Sequence, residues 1–141
     1  MEEFVRLDIP ARAEYVVLGR LALSGFLRRR AGFSADAVAD LKLALTEACS
    51  NSVRHAYDHE HGKVHLEFRM GDGCVVVSIR DEGAGFHDDA MECPDCQVVE
   101  GLPGAEGGLG ISIIRAVVDE FDLQRPSEGG TVLVLTKRAD A

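Results

Sequence analysis

The sequence predicts an α/β fold, a two-layer sandwich with three helices on one face of a mostly antiparallel mixed sheet. Segments 63–69 and 74–80 alternate apolar and polar residues, which is typical of strands with one buried and one solvated face. The residues between them, Gly71-Asp72-Gly73, predict the turn of a hairpin. Three longer segments repeat apolar residues at helical spacing. At 141 residues, the chain fits a single domain over residues 1–141.

The first half of the chain predicts one strand and two helices. Residues 4–9 alternate as a half-buried strand, which Pro10 ends, and residues 11–30 form the first helix, closed by Gly32. Ser34 caps a second helix that runs to about residue 57. The core-facing stripe of this helix consists of Val38, Leu41, Leu45, Ala48 and Ser52.

After the hairpin, residues 86–107 show no clear periodicity. Loops of this length inside a compact domain are uncommon and usually functional. A third helix over 109–120, a short strand over 121–125, a turn over 127–130 and a last strand over 131–137 complete the fold.

The formal net charge of −9 argues against a nucleic-acid-binding protein. An anionic ligand such as a triphosphate would need local neutralisation by a metal ion and backbone dipoles. The N-terminus has no basic segment followed by an apolar run, and no stretch is long enough to span a bilayer. We therefore expect a cytoplasmic protein.

The four cysteines fit the same compartment. Cys49 and Cys74 fall in a predicted helix and strand, where they serve as small hydrophobic residues. Cys93 and Cys96 have CxxC spacing, which is half of a zinc site; His87, or His59 and His61, could extend it. A plain loop remains the preferred interpretation of this segment.

Glu47, Asn51 and His55 are four residues apart and form one stripe along the second helix. This stripe lies about a quarter turn from the core line, so it lines the edge of a cleft. An acid, an amide and an imidazole can together serve proton transfer and metal binding. A solvated polar face is the simpler alternative.

Asp81 ends an apolar strand and is followed by Gly83, Gly85 and Phe86. A carboxylate there can accept a hydrogen bond from an exocyclic amine, and the glycines allow a planar base to approach the backbone. An ordinary strand-to-loop turn would have the same composition. Neither the dinucleotide-binding fingerprint nor the P-loop motif is satisfied.

The segment Gly107-Gly108-Leu109-Gly110 stands at the start of the third helix. Free N–H groups at a helix start attract phosphate oxygens. Mere flexibility would explain one glycine at this position better than three.

These three segments resemble the N, G1 and G2 boxes of the GHKL (histidine-kinase-like, Bergerat) ATP-binding fold. The similarity covers nearly the whole chain and is closest to the stand-alone anti-sigma factor serine/threonine kinases. It rests on residues 46–57, Thr-Glu-Ala-Cys-Ser-Asn-Ser-Val-Arg-His-Ala-Tyr, and on residues 107–115, Gly-Gly-Leu-Gly-Ile-Ser-Ile-Ile-Arg.

The resemblance implies a role for each motif position. Glu47 would be the catalytic base, Asn51 would ligate Mg²⁺, and His55 would lie near the phosphates. The remaining ATP-binding residues would divide between adenine (Asp81, Gly83, Gly85, Phe86 and Thr131) and the phosphates (Gly107, Gly108, Leu109 and Gly110). Residues 86–107 would form the ATP lid.

The resemblance also implies partners. The chain has no room for a phosphoacceptor hairpin or a transducer domain, so the phosphate acceptor would be a Ser or Thr of another protein, a STAS-domain anti-anti-sigma protein. The same kinase would bind a sigma factor. Two alternatives remain: a switch kinase of this fold that binds no sigma factor, and a nucleotide-gated binding module without catalysis.

The first helix gives separate support for a protein partner. Between Tyr15 and Leu27 its only charged residue is Arg20, and apolar residues occupy most of the circumference of the helix. One face suffices to cover a sheet, so the remainder predicts contact with another chain, either in a homodimer or with the sigma factor. The alternative is a helix packed between layers of its own domain.

Overall fold

The computed structural model describes residues 3–28, 32–55, 62–71, 73–82, 105–127 and 129–139; for residues 54, 55 and 105–110 it describes the backbone alone. These ranges contain five strands and three α-helices. In chain order they are β1 (Glu3–Pro10), α1 (Val16–Leu27), α2 (Ala35–His55), β2 (Lys63–Gly71), β3 (Cys74–Asp81), α3 (Ala105–Val117), β4 (Glu120–Gln124) and β5 (Thr131–Arg138).

The five strands form one sheet in the order β1-β2-β3-β5-β4. All four strand pairings in the described residues are antiparallel. The β2–β3 hairpin pairs Leu66 with Ile79, and Ile79 in turn pairs with Leu133 of β5. The predicted two-layer sandwich is confirmed, with β3 at the centre of its sheet.

The core lies between the helices and one face of the sheet. Alternate residues of the three central strands point into it and are fully buried, among them Val64, Leu66, Phe68, Val75, Val77, Ile79, Leu133 and Leu135. The helices contribute Leu23, Leu41, Leu45, Ala48 and Ile114. The same alternation leaves the other face of β1, β2 and β3 in contact with solvent.

A 3-10 turn precedes α1, and a side-chain cap precedes α2. The segment predicted as one helix over 11–30 starts with a 3-10 turn, Ala13–Tyr15, and becomes α-helical at Val16. The predicted cap of α2 is confirmed, because the Ala37 N–H donates to Ser34 Oγ at 3.1 Å.

The third helix begins and ends earlier than the sequence predicts. It spans Ala105–Val117 instead of 109–120, and the strand after it spans Glu120–Gln124 instead of 121–125. The helix ends here because Asp119 bonds to β5. Its N–H donates to the Thr136 carbonyl at 2.9 Å, and its carboxylate accepts the Arg138 N–H at 2.6 Å.

Lys137 connects both layers of the sandwich. It lies on the helix-facing side of β5, and its Nζ donates to the Val117 carbonyl at the end of α3 at 2.8 Å. The same ammonium reaches Asp40 of α2 at 3.3 Å. A cation near helix-terminal carbonyls also interacts favourably with the helix dipole. One side chain therefore fixes the relative positions of α2, α3 and β5.

The predicted lid over 86–107 lies outside the described residues except for its last three positions, which belong to α3. In the part of the chain that the structure describes, no helix combines the length and apolar character that a membrane span requires.

Candidate active site

The apolar inner face of the sheet ends in a polar cluster. In β3 the buried side chains are those of Val75, Val77, Ile79 and, at the end of the strand, Asp81. Strand alternation therefore directs the Asp81 side chain into the protein, beneath α2. Burial of a carboxylate is costly unless it is hydrogen-bonded, so this position calls for dedicated partners.

One such partner comes from the last turns of α2. Ser52 Oγ donates to Asp81 Oδ2 at 3.0 Å. The preceding residue, Asn51, is also buried, so two adjacent polar side chains of α2 are shielded from solvent. The exposed fractions are 4% for Asn51, 1% for Ser52 and 2% for Asp81.

Strand β5 supplies the fourth polar residue. Thr131 pairs with Asp81 across the sheet and is likewise buried. Its Oγ1 makes no hydrogen bond within the described part of the chain. A buried hydroxyl in that state can accept a hydrogen bond from a ligand or donate one to it.

Gly130 allows β5 to approach Asp81. Its φ is +84°, a conformation that side chains disfavour, and a Cβ there would collide with the Asp81 carbonyl oxygen. The glycine is therefore required both for the turn and for the close contact between the two strand ends.

Glu47 and Asn51 both lie within the helix Ala35–His55. Glu47 is half-buried and one turn before Asn51. His55 is the last residue of α2; its side chain lies outside the described part. The structure thus joins the turn of α2 that carries Asn51 to Asp81 through the adjacent Ser52, and it keeps Glu47 partly accessible.

The remaining predicted ligands follow β3 in the sequence or belong to the start of α3. Gly83, Gly85 and Phe86 lie outside the described residues. The glycine segment of residues 107–110 belongs to the first turns of α3, so Gly107 and Gly108 are helical although the predicted helix begins only at 109. The first N–H groups of a helix lack internal partners, so the backbone of Gly107 and Gly108 retains donors at this end.

On the outer face of the sheet, the residue that follows Asp81 belongs to a charged cluster. His65 Nε2 lies 3.1 Å from Glu82 Oε2, and His65 Nδ1 lies 2.8 Å from Asp8 Oδ1. The hydrogen bond to His65 holds the pKa of the Asp8 carboxyl below its ordinary value. His65 therefore ties β1 to the first residue after β3.

Cys49 is a buried free cysteine of α2. Burial raises the pKa of the Cys49 thiol to about 12, so this cysteine is chemically inert at neutral pH and serves as core. In the ranges that the structure describes, no three His, Cys, Asp or Glu residues are grouped so that they could hold a metal ion. Cys93 and Cys96 lie outside those ranges.

Sequence reasoning missed two features of this site. It assigned Ser52 to the core stripe, and the residue is indeed buried, but its hydroxyl bonds to Asp81. The alternation over 63–69 places His65 on the solvated face and indicates no partner for it. A hydroxyl on an otherwise apolar helix stripe was the available signal for Ser52, whereas nothing in the local pattern indicated the His65 cluster.

A second surface lies on the outer side of α1 and α2. Val17, Leu18 and Leu21 of α1 and Leu43 of α2 are exposed, Leu21 to 61%. A groove of about 450 Å³ runs between the two helices; Val17, Arg20, Leu21, Ala39, Lys42, Leu43 and Thr46 line it. We call this surface the α1–α2 groove. The surplus apolar side of α1 is thus exposed and not packed within its own domain.

The family described as "Histidine kinase-like ATPase domain" matches residues 9–137. Among characterised relatives, "Serine-protein kinase RsbW" of Listeria innocua is 37% identical, with 97% of this chain and 88% of that protein aligned. The protein of the same name in Bacillus velezensis is 35% identical, over 96% of this chain and 85% of the relative.

Solved structures agree on the fold. The RsbU and RsbW domains of a Mycobacterium tuberculosis protein superpose with a TM-score of 0.67 at 21% identity, over 97% of this chain and 32% of that one. The histidine kinase domain of a blue-light activated kinase from Erythrobacter litoralis gives 0.59 at 22% identity, over 93% and 62%.

The chain therefore belongs to the histidine kinase-like ATPase domain family and, within it, to the serine-protein kinases typified by RsbW. The predictions of a GHKL fold and of an ATP-dependent serine/threonine kinase are confirmed at this level.

Proposed function

We propose that this kinase transfers the γ-phosphate of Mg²⁺-bound ATP to a Ser or Thr of a STAS-domain anti-anti-sigma protein, and that it acts as an anti-sigma factor. The observation that carries the proposal is the buried polar cluster of Asn51, Ser52, Asp81 and Thr131 at the end of an apolar core. A buried polar group without a partner is costly, so the Thr131 hydroxyl, which has none within the described residues, supports a ligand at this cluster. The proposed reaction takes place in the cytoplasm, where ATP is available.

The adenine end of the site would be built on β3 and β5. The Asp81 carboxylate would accept a hydrogen bond from the adenine amine, and the Thr131 hydroxyl would contact the same base. Gly83, Gly85 and Phe86 would shape the pocket around it. This division is supported by the Thr131 Oγ1, a buried atom that has no hydrogen-bond partner within the described residues.

The phosphate end would be built on α2 and α3. An amide oxygen is a hard donor of the kind Mg²⁺ prefers, so Asn51 fits the metal, and a carboxylate one turn earlier adds to the local negative potential. His55 and the backbone of residues 107–110 (Gly107, Gly108, Leu109 and Gly110) would contact the phosphates. The metal ion, when bound, would neutralise charge that builds up on the phosphates.

Glu47 is proposed as the catalytic base. The helix presents it one turn before Asn51 and keeps it half-buried, so its carboxylate is near the phosphate end without being sealed from a protein substrate. It would orient the acceptor hydroxyl and take its proton as the bond to phosphorus forms.

The α1–α2 groove is proposed as the docking surface for the STAS protein. Leu43, which lines it, is one turn before Glu47, so the groove leads along α2 to the proposed base. Arg20 and Lys42 line the same groove, and neither forms an ion pair with another described residue. A symmetric contact between two copies would place these basic side chains opposite each other, so the basic apolar groove favours an acidic partner over a second copy of the chain.

Incubation of the full chain with γ-labelled ATP, Mg²⁺ and a STAS protein tests the reaction. We expect label on a Ser or Thr of the STAS protein, no transfer when EDTA removes the divalent cation, and no transfer to a STAS protein whose acceptor is alanine. Sigma-factor pull-down tests the second activity. Binding of ATP without transfer would instead support a nucleotide-gated binding module, and transfer without sigma binding a switch kinase.

Leu21→Glu tests the docking surface. An acidic side chain at the most exposed apolar position of the groove should weaken STAS binding about tenfold or more, since such central apolar contacts often contribute over 1 kcal/mol. Affinity for ATP, measured by calorimetry, should not change. Phe4→Glu, an exposed apolar residue on the outer face of the sheet, is the matched control.

Two results would revise the docking proposal. If Leu21→Glu leaves STAS affinity unchanged, the STAS protein binds elsewhere. If light scattering shows that the variant instead separates a dimer into monomers while transfer continues, the groove is a homodimer interface.

A further inference from the structure

The hydrogen bond between Ser52 and Asp81 is unusual for a serine within a helix. Such serines commonly bond the carbonyl of the preceding turn or face solvent. Ser52 does neither: it is 1% exposed, and its Oγ donates to Asp81 Oδ2, 29 residues further along the chain, at 3.0 Å. The bond joins α2, which carries the proposed metal ligand, to β3, which carries the proposed adenine ligand.

The direction of this bond constrains the chemistry of Asp81. A serine hydroxyl has one proton, and here it is donated to the carboxylate. An ionised carboxylate accepts hydrogen bonds and cannot donate them. Ser52 therefore favours the form of Asp81 that can receive an amine proton, and it fixes the rotation of the carboxyl group.

We propose that Ser52 is a positioning residue that determines base specificity by holding the Asp81 carboxylate toward the 6-amino group of a purine nucleotide. The inference rests on the proposed function, because it assumes that Asp81 binds the base. It goes further by assigning the selectivity for a 6-amino purine to a hydroxyl on α2. Because Asn51 is adjacent to Ser52, the same hydrogen bond would also set the position of the proposed metal ligand relative to the base.

A purely structural role for Ser52 makes a different prediction. Loss of packing or of helix docking would lower affinity for every nucleotide by the same factor. Loss of carboxylate positioning would lower affinity only for nucleotides whose amine contacts Asp81. The diagnostic quantity is thus the ratio of the dissociation constants of purine riboside triphosphate, which lacks the 6-amino group, and ATP.

Calorimetry on the full chain with Mg²⁺ and each of these two nucleotides provides the test. Wild-type protein should bind ATP about tenfold more tightly or better, as expected for a hydrogen bond to a charged group. Ser52→Ala should weaken ATP binding and bring the ratio close to one, with little change for purine riboside triphosphate. Ser50→Ala, a half-buried serine of the same helix, should leave the wild-type ratio unchanged.

The possible outcomes distinguish a failure of the proposed function from a failure of the proposed role of Ser52. If the wild-type protein binds neither nucleotide, or binds both equally, the proposed function or its adenine ligand is wrong. If the wild-type protein discriminates and Ser52→Ala keeps the same ratio, the role of Ser52 is overturned even where both affinities fall. Should Ser52→Ala not fold, Ser52→Cys is close in size and a weaker donor, and it should give an intermediate ratio; an unchanged ratio would again overturn the role.

Discussion

Glu47→Gln is expected to abolish most phosphoryl transfer while leaving ATP binding close to wild type. Glutamine keeps the shape of the side chain but cannot accept a proton, and a positioned general base contributes a factor of about 10² to 10⁴ to the rate. Because Glu47 is half-buried on the surface of α2, the substitution should not disturb the core. Single-turnover transfer of labelled phosphate to a STAS protein measures the rate, and calorimetry with Mg²⁺ and ATP measures the affinity.

Glu120→Gln is the matched control for this experiment. Glu120 is exposed at the start of β4, where it pairs with Arg138 at 2.7 Å; it lies opposite Thr136, toward the end of β5 that is remote from Thr131. This variant should transfer phosphate at the wild-type rate. If Glu47→Gln also does so, the assignment of the base is wrong. If it loses ATP affinity as well as transfer, Glu47 contributes to metal or phosphate binding, and the base must be sought elsewhere.

Strand periodicity is the part of the fold that the sequence predicts best. The alternation in β2 and β3 identifies the buried face residue by residue, because side chains alternate strictly along a strand. The same parity carries Asp81 to the inner face, so the placement of the proposed adenine ligand follows from the pattern that predicts the strand. The helix face of Glu47 and Asn51 follows in the same way from helical spacing.

Helix boundaries are less accessible from local sequence. Gly107 and Gly108 have low helix propensity and lie before the predicted start of the helix, yet α3 already includes them. Burial of Ile111 and Ile114 against the sheet anchors this helix, and tertiary packing of this kind overrides intrinsic propensity. The end of α3 is likewise set by β5, through contacts that no local pattern contains.

The hydrogen bond between Ser52 and Asp81 could not be predicted from the sequence. Helical spacing predicts correctly that Ser52 faces the core, but its partner depends on how α2 lies across β3. That arrangement results from the packing of the whole sandwich. Side-chain pairs between distant elements are therefore where the structure adds most to the description of the site.

Asp81→Asn is expected to reverse the preference between 6-amino and 6-oxo purine nucleotides. The asparagine oxygen can still accept the Ser52 hydroxyl proton, which directs the new NH₂ group to the position of the other carboxylate oxygen. Two donors then face each other when adenine is bound, and ATP affinity should fall about 10- to 100-fold. Inosine triphosphate, which presents an acceptor at the same position, should bind the variant more tightly than it binds the wild-type protein.

Competition calorimetry with Mg²⁺ and the two nucleotides measures this reversal, and thermal unfolding verifies that the variant is folded. Asp122→Asn, an exposed aspartate of β4, should retain the wild-type preference. An Asp81→Asn protein that is folded and binds ATP with unchanged affinity would remove Asp81 from the base pocket, and with it the role of Ser52. If the binding of both nucleotides is weakened equally, the buried charge of Asp81 supports the shape of the pocket without contacting the base. Only a direct contact makes the loss of affinity depend on the 6-substituent.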